Sequence, residues 1–252
     1  MRKSRLLLGL VLAVGVAAFV VPAVSSGSST GLVNWGLVAT ILVVLAVIAV
    51  LFEFEAAAIS SKEIALVAML GTMSAVMRIP FAALPGVQPS TYLIICSGYV
   101  FGPVAGFMVG ALTPLVSNFF LGQGPWTPYQ MLAWGLLGVL AAGLRRFNLG
   151  RLWLVAVGVF GGYLYGWIVN TWYWSAFIYP LNLRTFLTYQ ASSVWFDTFH
   201  AVGNAVFLGL FGMKTIAILE RFSRRFSWRM VGEAAGTRPP GHVQPEAAAL
   251  NR

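Results

Sequence analysis

Charge is scarce in this chain. Only 9% of its 252 residues are Asp, Glu, Lys or Arg, against about 25% in a soluble domain. Hydrophobic residues make up 59% and the mean hydropathy is +0.82. So few charges cannot cover the surface of a core this large, which excludes a soluble globular enzyme and makes lipid the solvent. Cysteine is nearly absent: Cys96 lies alone in an apolar run, so no internal disulfide scaffold exists. Of the two histidines only His200 falls in an apolar segment, and there is neither an H-E-x-x-H motif nor a cysteine pair. An internal zinc site would therefore lack nitrogen and sulfur ligands. None of the three lysines follows a glycine, so the G-x-x-x-x-G-K-[ST] phosphate loop is missing and ATP hydrolysis by that route is excluded. No dinucleotide fingerprint is present either, and no metal or cofactor is expected. The net charge of +9 would raise the question of nucleic acid in a soluble protein. Here the basic residues sit at the ends of apolar spans, where orientation in the bilayer accounts for them, and no nucleic-acid partner is expected.

What the chain has in abundance is spans. A membrane helix takes about 20 residues and its connection about ten more, so the length allows about eight. Met1-Arg2-Lys3-Ser4-Arg5 precedes an apolar run from Leu6 to Val24, which is either a signal peptide or a signal anchor. The run is long for a signal peptide and a second span follows at once, so it is read as an uncleaved anchor. That second span, Leu32 to Phe52, carries no charge and no visible chemistry. Glu53, Glu55, Lys62 and Glu63 mark an aqueous stretch, after which Gly, Pro, Trp and Tyr enrich the spans and a functional boundary is placed near Ser60. Six apolar segments follow: Ile64 to Ile79, Ser90 to Phe101, Pro103 to Leu121, Tyr129 to Leu144, Leu152 to Phe177 and Ser192 to Leu219. Gly102-Pro103 breaks what would otherwise be one overlong run and is a place for the chain to turn. The expectation is an all-α integral membrane protein: two N-terminal transmembrane helices in residues 1–60, a six-helix core in 61–226, and a disordered cytoplasmic tail in 227–252.

Orientation follows from the cations. With both termini inside, fourteen of the sixteen Lys and Arg fall at or near the cytoplasmic side, and only Arg78 and Arg184 fall near the outside. That split predicts a multi-pass cell-membrane protein with both ends in the cytoplasm.

Polar residues concentrate on the outer half. Arg78 ends the first core span, the loop from Pro80 to Pro89 leads through Gln88 into Ser90 and Thr91, and Asn118 lies late in the third span. The segment Phe119-Phe120-Leu121-Gly122-Gln123-Gly124-Pro125-Trp126-Thr127-Pro128-Tyr129-Gln130 is too rich in Gly and Pro to be helical and too aromatic to be mere spacer, and reads as a pocket wall. The alternative is that Trp126, Tyr129 and Trp134 form an interfacial belt. Asn170 to Trp174, followed by a loop from Tyr179 to Gln190 with Asn182 and Arg184, offers aromatic faces with a few polar groups, as a cofactor-like ligand needs. Asp197, His200 and Asn204 share one helix face. Asp197 is the one carboxylate deep in a core span, so it faces ligand, an internal packing network or a proton path rather than lipid. The candidate substrate site is therefore Arg78, Asn118, Gln123, Trp126, Trp174, Arg184 and Asp197. Two glycine stripes, Gly102/Gly106/Gly110 and Gly158/Gly162/Gly166, each line one helix face and serve either packing within the chain or docking to another subunit.

The pattern resembles the substrate-binding S components of energy-coupling factor (ECF) transporters, which capture vitamins in bacteria and archaea. The resemblance spans Lys62 to Arg225 and rests on Arg78-Ile79-Pro80-Phe81, on Phe101-Gly102-Pro103-Val104-Ala105-Gly106, and on Gly124-Pro125-Trp126-Thr127-Pro128-Tyr129-Gln130-Met131 before Ala133-Trp134-Gly135. It implies a six-helix core, an outer binding site closed by the loops after the first and fifth core helices, and partners: a transmembrane coupling subunit and two ATPases. In that family an Ala-x-x-x-Ala face of the first core helix docks on the coupling subunit. The nearest equivalent here is Ala68-x-x-x-Thr72 beside Gly71-x-x-x-Ala75, with Thr replacing one Ala.

Three functions follow for comparison. The first is a vitamin-binding S component, whose substrate, from Arg78, Arg184 and the abundant aromatics, is anionic and conjugated, riboflavin-like or a corrinoid. The others are an intramembrane enzyme using Asp197 and His200, and a membrane assembly scaffold.

Overall fold

In this computed structural model, residues 35–56, 61–147 and 150–225 are described. The first apolar segment, the boundary at residue 60 and the tail 227–252 lie outside them. Every regular element among the described residues is helical: α1 (Trp35–Ala56), α2 (Ser61–Arg78), α3 (Ser90–Phe101), α4 (Pro103–Leu121), α5 (Thr127–Leu144), α6 (Arg151–Phe177), α7 (Leu183–Ser192), α8 (Val194–Phe207) and α9 (Met213–Arg225), with a π segment, Leu208–Gly212, joining the last two. Among the described residues, four stretches are by length and composition able to cross a membrane, Ser61–Phe81, Pro103–Leu121, Arg151–Phe177 and Val194–Arg224.

Two helices meet at a single residue between α3 and α4. Gly102 has φ 92°, which side-chain-bearing residues rarely adopt, and Pro103 then supplies a preset φ at the first helical position. The Gly102 N–H still bonds the Gly98 carbonyl at 3.0 Å, so the reversal leaves no orphaned donor there. The chain therefore folds back tightly, and α3 is buried along nearly its whole length.

Glycines decide how closely the helices pack. A Cβ on Gly98 or Gly106 would run into Gly138 backbone, and one on Gly110 would meet Trp134 and Gly135 backbone. On the second stripe, Gly158, Gly162 and Gly166 face Leu208, Ala201 and Asp197. Both stripes are thus closed by neighbouring helices of this chain: α3, α4 and α5 in one case, α6 and α8 in the other. In lipid, where apolar burial drives little association, such close approach supplies the dispersion contacts that hold helices together. The core inside them runs from Leu66 and Leu70 through Leu93, Ile94 and Val109 to Trp134, Leu137 and Leu208. Helix α1 lies against α5 and α6. Its Val47 packs with Phe107 and Ala111, while Leu37, Ile41 and Phe52 stay exposed.

The stretch Tyr179 to Gln190, expected to be a loop, is helical from Leu183 onward, as most of α7. Asn182 caps it by accepting from the Thr185 N–H at 2.9 Å, and Thr185 Oγ1 accepts from the Asn182 N–H at 3.3 Å. The segment expected to be non-helical is likewise helical at both ends: Phe119 to Leu121 finish α4, and α5 begins at Thr127 because Pro128 fits a first turn.

Candidate functional site

The inward face of α2 repeats at helical spacing, with Leu66, Val67, Leu70, Gly71, Ser74, Ala75 and Arg78 all buried. Its polar members begin a seam. Ser90 Oγ donates to the Ser74 carbonyl at 3.0 Å, and Thr113 Oγ1 donates to Ser74 Oγ at 2.8 Å. One turn beyond Ser74, Arg78 is 8% exposed. Its Nε donates to Gln88 Oε1 at 3.0 Å, and its Nη1 donates to Ser117 Oγ at 2.8 Å and Asn118 Oδ1 at 2.6 Å. The guanidinium carbon lies 5.0 Å from the centroid of the Trp134 ring. All four partners are neutral.

Each partner is itself held. Asn118 Nδ2 donates to Thr127 Oγ1 at 2.9 Å and Gln130 Oε1 at 2.8 Å, and Thr127 Oγ1 donates to Gln123 Oε1 at 3.0 Å. Trp134 Nε1 donates to Thr91 Oγ1 at 2.9 Å, and the same oxygen lies 2.8 Å from His200 Nε2. An indole N–H only donates and a hydroxyl carries one proton. The Thr91 hydroxyl also has two lone pairs, so it accepts from the indole and either donates to His200 Nε2 or accepts from it, according to the His200 tautomer. Tyr165 fills the angle between these rings, 4.5 Å from Trp134 and 4.8 Å from His200 by centroids. Six helices thus contribute to one buried cluster: Arg78 from α2, Thr91 from α3, Ser117 and Asn118 from α4, Gln130 and Trp134 from α5, Tyr165 from α6 and His200 from α8.

Of the residues expected from sequence, the cluster joins Arg78 and Asn118 directly and Gln123 through Thr127. Trp126 is half-buried at its margin, edge-on to Trp172 at 5.2 Å. Trp174 is buried against Phe186 at 5.2 Å and donates from Nε1 to Thr185 Oγ1 at 3.1 Å, anchoring α7 on α6. Asp197 belongs to a second network. It accepts from Ser193 Oγ at 3.1 Å and lies against Gly166, while Asn170 Nδ2 donates to Gln190 Oε1 at 2.9 Å and Ser193 Oγ at 2.7 Å. Asp197 and His200, one turn apart, hydrogen-bond different partners. Arg184 is exposed on α7, outside the Arg78 hydrogen bonds. Later on the same helix, burial, together with nearby Tyr173 and Asp197, raises the Tyr189 phenol above its ordinary pKa.

Sequence reasoning missed Ser117 and Tyr165 as members of the site. The signal for Ser117 was its position four residues after Thr113, on the face that also presents Asn118. Tyr165 had none beyond its place among glycines. Tyr129 and Trp134, weighed as belt residues, are 1% and 0% exposed, buried deeper than an interfacial anchor sits.

On α2 the expected docking residues divide. Ala68 and Thr72 are exposed, in a stripe with Ala65 and Met69. Gly71 and Ala75 are buried, and a Cβ on Gly71 would meet Leu112 Cβ at 2.9 Å.

A family model described as the substrate-specific component of ECF transporters matches residues 62–210, more than half of the chain. The chain belongs to that family. No curated protein and no solved structure matches it significantly. As an S component by family, it is the substrate-specific subunit of a transporter and not an enzyme, an all-α membrane protein with several apolar helices.

Proposed function

We propose that this S component captures a vitamin-like micronutrient at the outer face of the cell membrane and delivers it inward with a coupling subunit driven by two ATPases. The observation that carries the reading is the Arg78 cluster. A buried arginine, held by neutral side chains within a cluster built from six helices and flanked by the rings of α5, α6 and α8, is costly to maintain, and binding is the function that offsets it. The charge split of fourteen cations against two supports placing both termini in the cytoplasm and Arg78 on the outer side. The missing ATP motif fits a subunit that borrows its motor. The exposed half of α2, Ala68 and Thr72 with Ala65, is small enough for a partner helix to approach closely and is the proposed docking face.

The test is co-expression of the tagged chain with an ECF module. Co-purification of the coupling subunit and both ATPases, with ATP-dependent accumulation of a small molecule by the cells, is the expected result. A chain that assembles with no module, and supports no uptake, contradicts the reading.

A further inference from the structure

The proton inventory of Arg78 narrows the substrate. A guanidinium has five N–H groups. One on Nε goes to Gln88, and the two on Nη1 go to Ser117 and Asn118, so both remaining protons are on Nη2, for which no hydrogen bond is made. Among the described residues the only sealed side-chain polar atom without a partner is Asn204 Oδ1. Nη2 is therefore not sealed by protein and keeps two protons to donate. The positive charge is equally uncompensated: its partners Gln88, Ser117, Asn118 and Trp134 are neutral, and no described carboxylate forms an ion pair with it.

Building on the capture reading above, we propose that the substrate is a small monocarboxylic acid bound as its anion, with a carboxylate oxygen on Arg78 Nη2. One charge is needed because a neutral ligand would leave the buried cation unmatched, and no counter-charge is available for a second. The titratable side chains of the cluster supply no second positive charge: Tyr165 is never cationic, and His200, 3% exposed beside a buried cation, is neutral because a second buried charge of the same sign would be costly. A phosphomonoester carries −1.5 to −2 near neutrality and would bring the excess that the site cannot balance. The fork geometry that suits bidentate phosphate or carboxylate binding is also spent, because Nε and Nη1 are occupied; the acid meets one nitrogen end-on. A riboflavin-like ligand lacks such an acid. An acidic lipid headgroup shares the anionic chemistry, and the experiment separates it from a free acid.

The wild-type chain, Arg78→Gln and Arg78→Lys are purified in mild detergent, checked for equal thermal unfolding after stripping, and heated to release bound compounds for mass spectrometry. The expected species is a free monocarboxylic acid, reduced roughly ten- to a hundredfold in Arg78→Gln and less in Arg78→Lys; its carboxamide fails to rebind stripped wild type. A neutral, cationic or phosphorylated compound, or an acid retained equally by Arg78→Gln, overturns the monocarboxylate while leaving capture intact. A phospholipid as the only species lost with Arg78 overturns it in favour of a lipid site. If the wild type releases no small molecule at all, the capture reading falls as well. Should Arg78→Gln unfold, Arg78→Lys with the carboxamide comparison decides alone.

Discussion

The Arg78 guanidinium lies over the indole of Trp134, 5.0 Å from its centroid, and that same indole reaches across to Thr91 and, through it, His200. The pair joins the only buried arginine among the described residues to the rings of α5, α6 and α8. A cation over an aromatic face contributes about 0.5–2 kcal/mol, more as water is excluded, so the ring partly offsets the missing counter-ion.

Trp134→Phe keeps a ring beneath Arg78 but removes the indole N–H from Thr91. Loss of one buried neutral hydrogen bond is expected to destabilise the ligand-free protein by about 1 kcal/mol, and Trp134→Ala by about 3–5 kcal/mol through the cavity it leaves. Denaturation of both variants in the same detergent checks the order; an unaltered Trp134→Ala would mean the ring is not part of the packed core.

The two faces of α2 should respond differently to a bulky residue. Ala68→Trp and Thr72→Trp, on the exposed face, are expected to keep wild-type melting and lose capture by the coupling module. Gly71→Trp, aimed at Leu112, is expected to unfold. Normal capture by Ala68→Trp would remove this face from consideration.

Alanine at two glycines tests the packing. In Gly98→Ala the new methyl meets Gly138 backbone, which has no side chain to move aside, whereas in Gly71→Ala it meets the flexible Leu112 side chain. Overpacking costs typically about 1–3 kcal/mol, and Gly98→Ala is expected to be the worse of the two in thermal unfolding. The reverse order would show that α3 and α5 can separate without penalty.

Sidedness is read by impermeant maleimide on intact cells, in a Cys96→Ala background. Cysteine at Gln123 or Arg184 is expected to label and cysteine at Arg146 not to. Labelling at 146 alone would invert the topology.

Much of the fold was legible, and the reasons are local. Gly102-Pro103 announces its own turn, so α3 and α4 begin and end where the sequence placed them. Helix α7 was hidden because Leu183 to Ser192 has too few apolar residues to read as a span; the Asn182 to Thr185 spacing of its cap was the available sign. Arg78 and Asn118 stood out as polar groups at span ends. The cluster around them did not, because helical spacing tells which residues share a face and not which helix that face meets. The same limit left the glycine stripes and Trp134 with two readings until neighbours were in place.

Arg78 and its surroundings are the proposed place where substrate binds. Once the released compound is identified, calorimetric titration of stripped wild type, Arg78→Ala and Trp126→Ala tests this most directly, with Arg184→Ala as the exposed-cation comparison. Losing the buried charge-assisted contact should cost about 1.5–3 kcal/mol and losing the Trp126 ring about 1 kcal/mol or more. At about 1.4 kcal/mol per factor of ten, these correspond to roughly five- to a hundredfold weaker binding, with a smaller change for Arg184→Ala. Equal affinities in wild type, Arg78→Ala and Trp126→Ala, with unfolding unchanged, would contradict it.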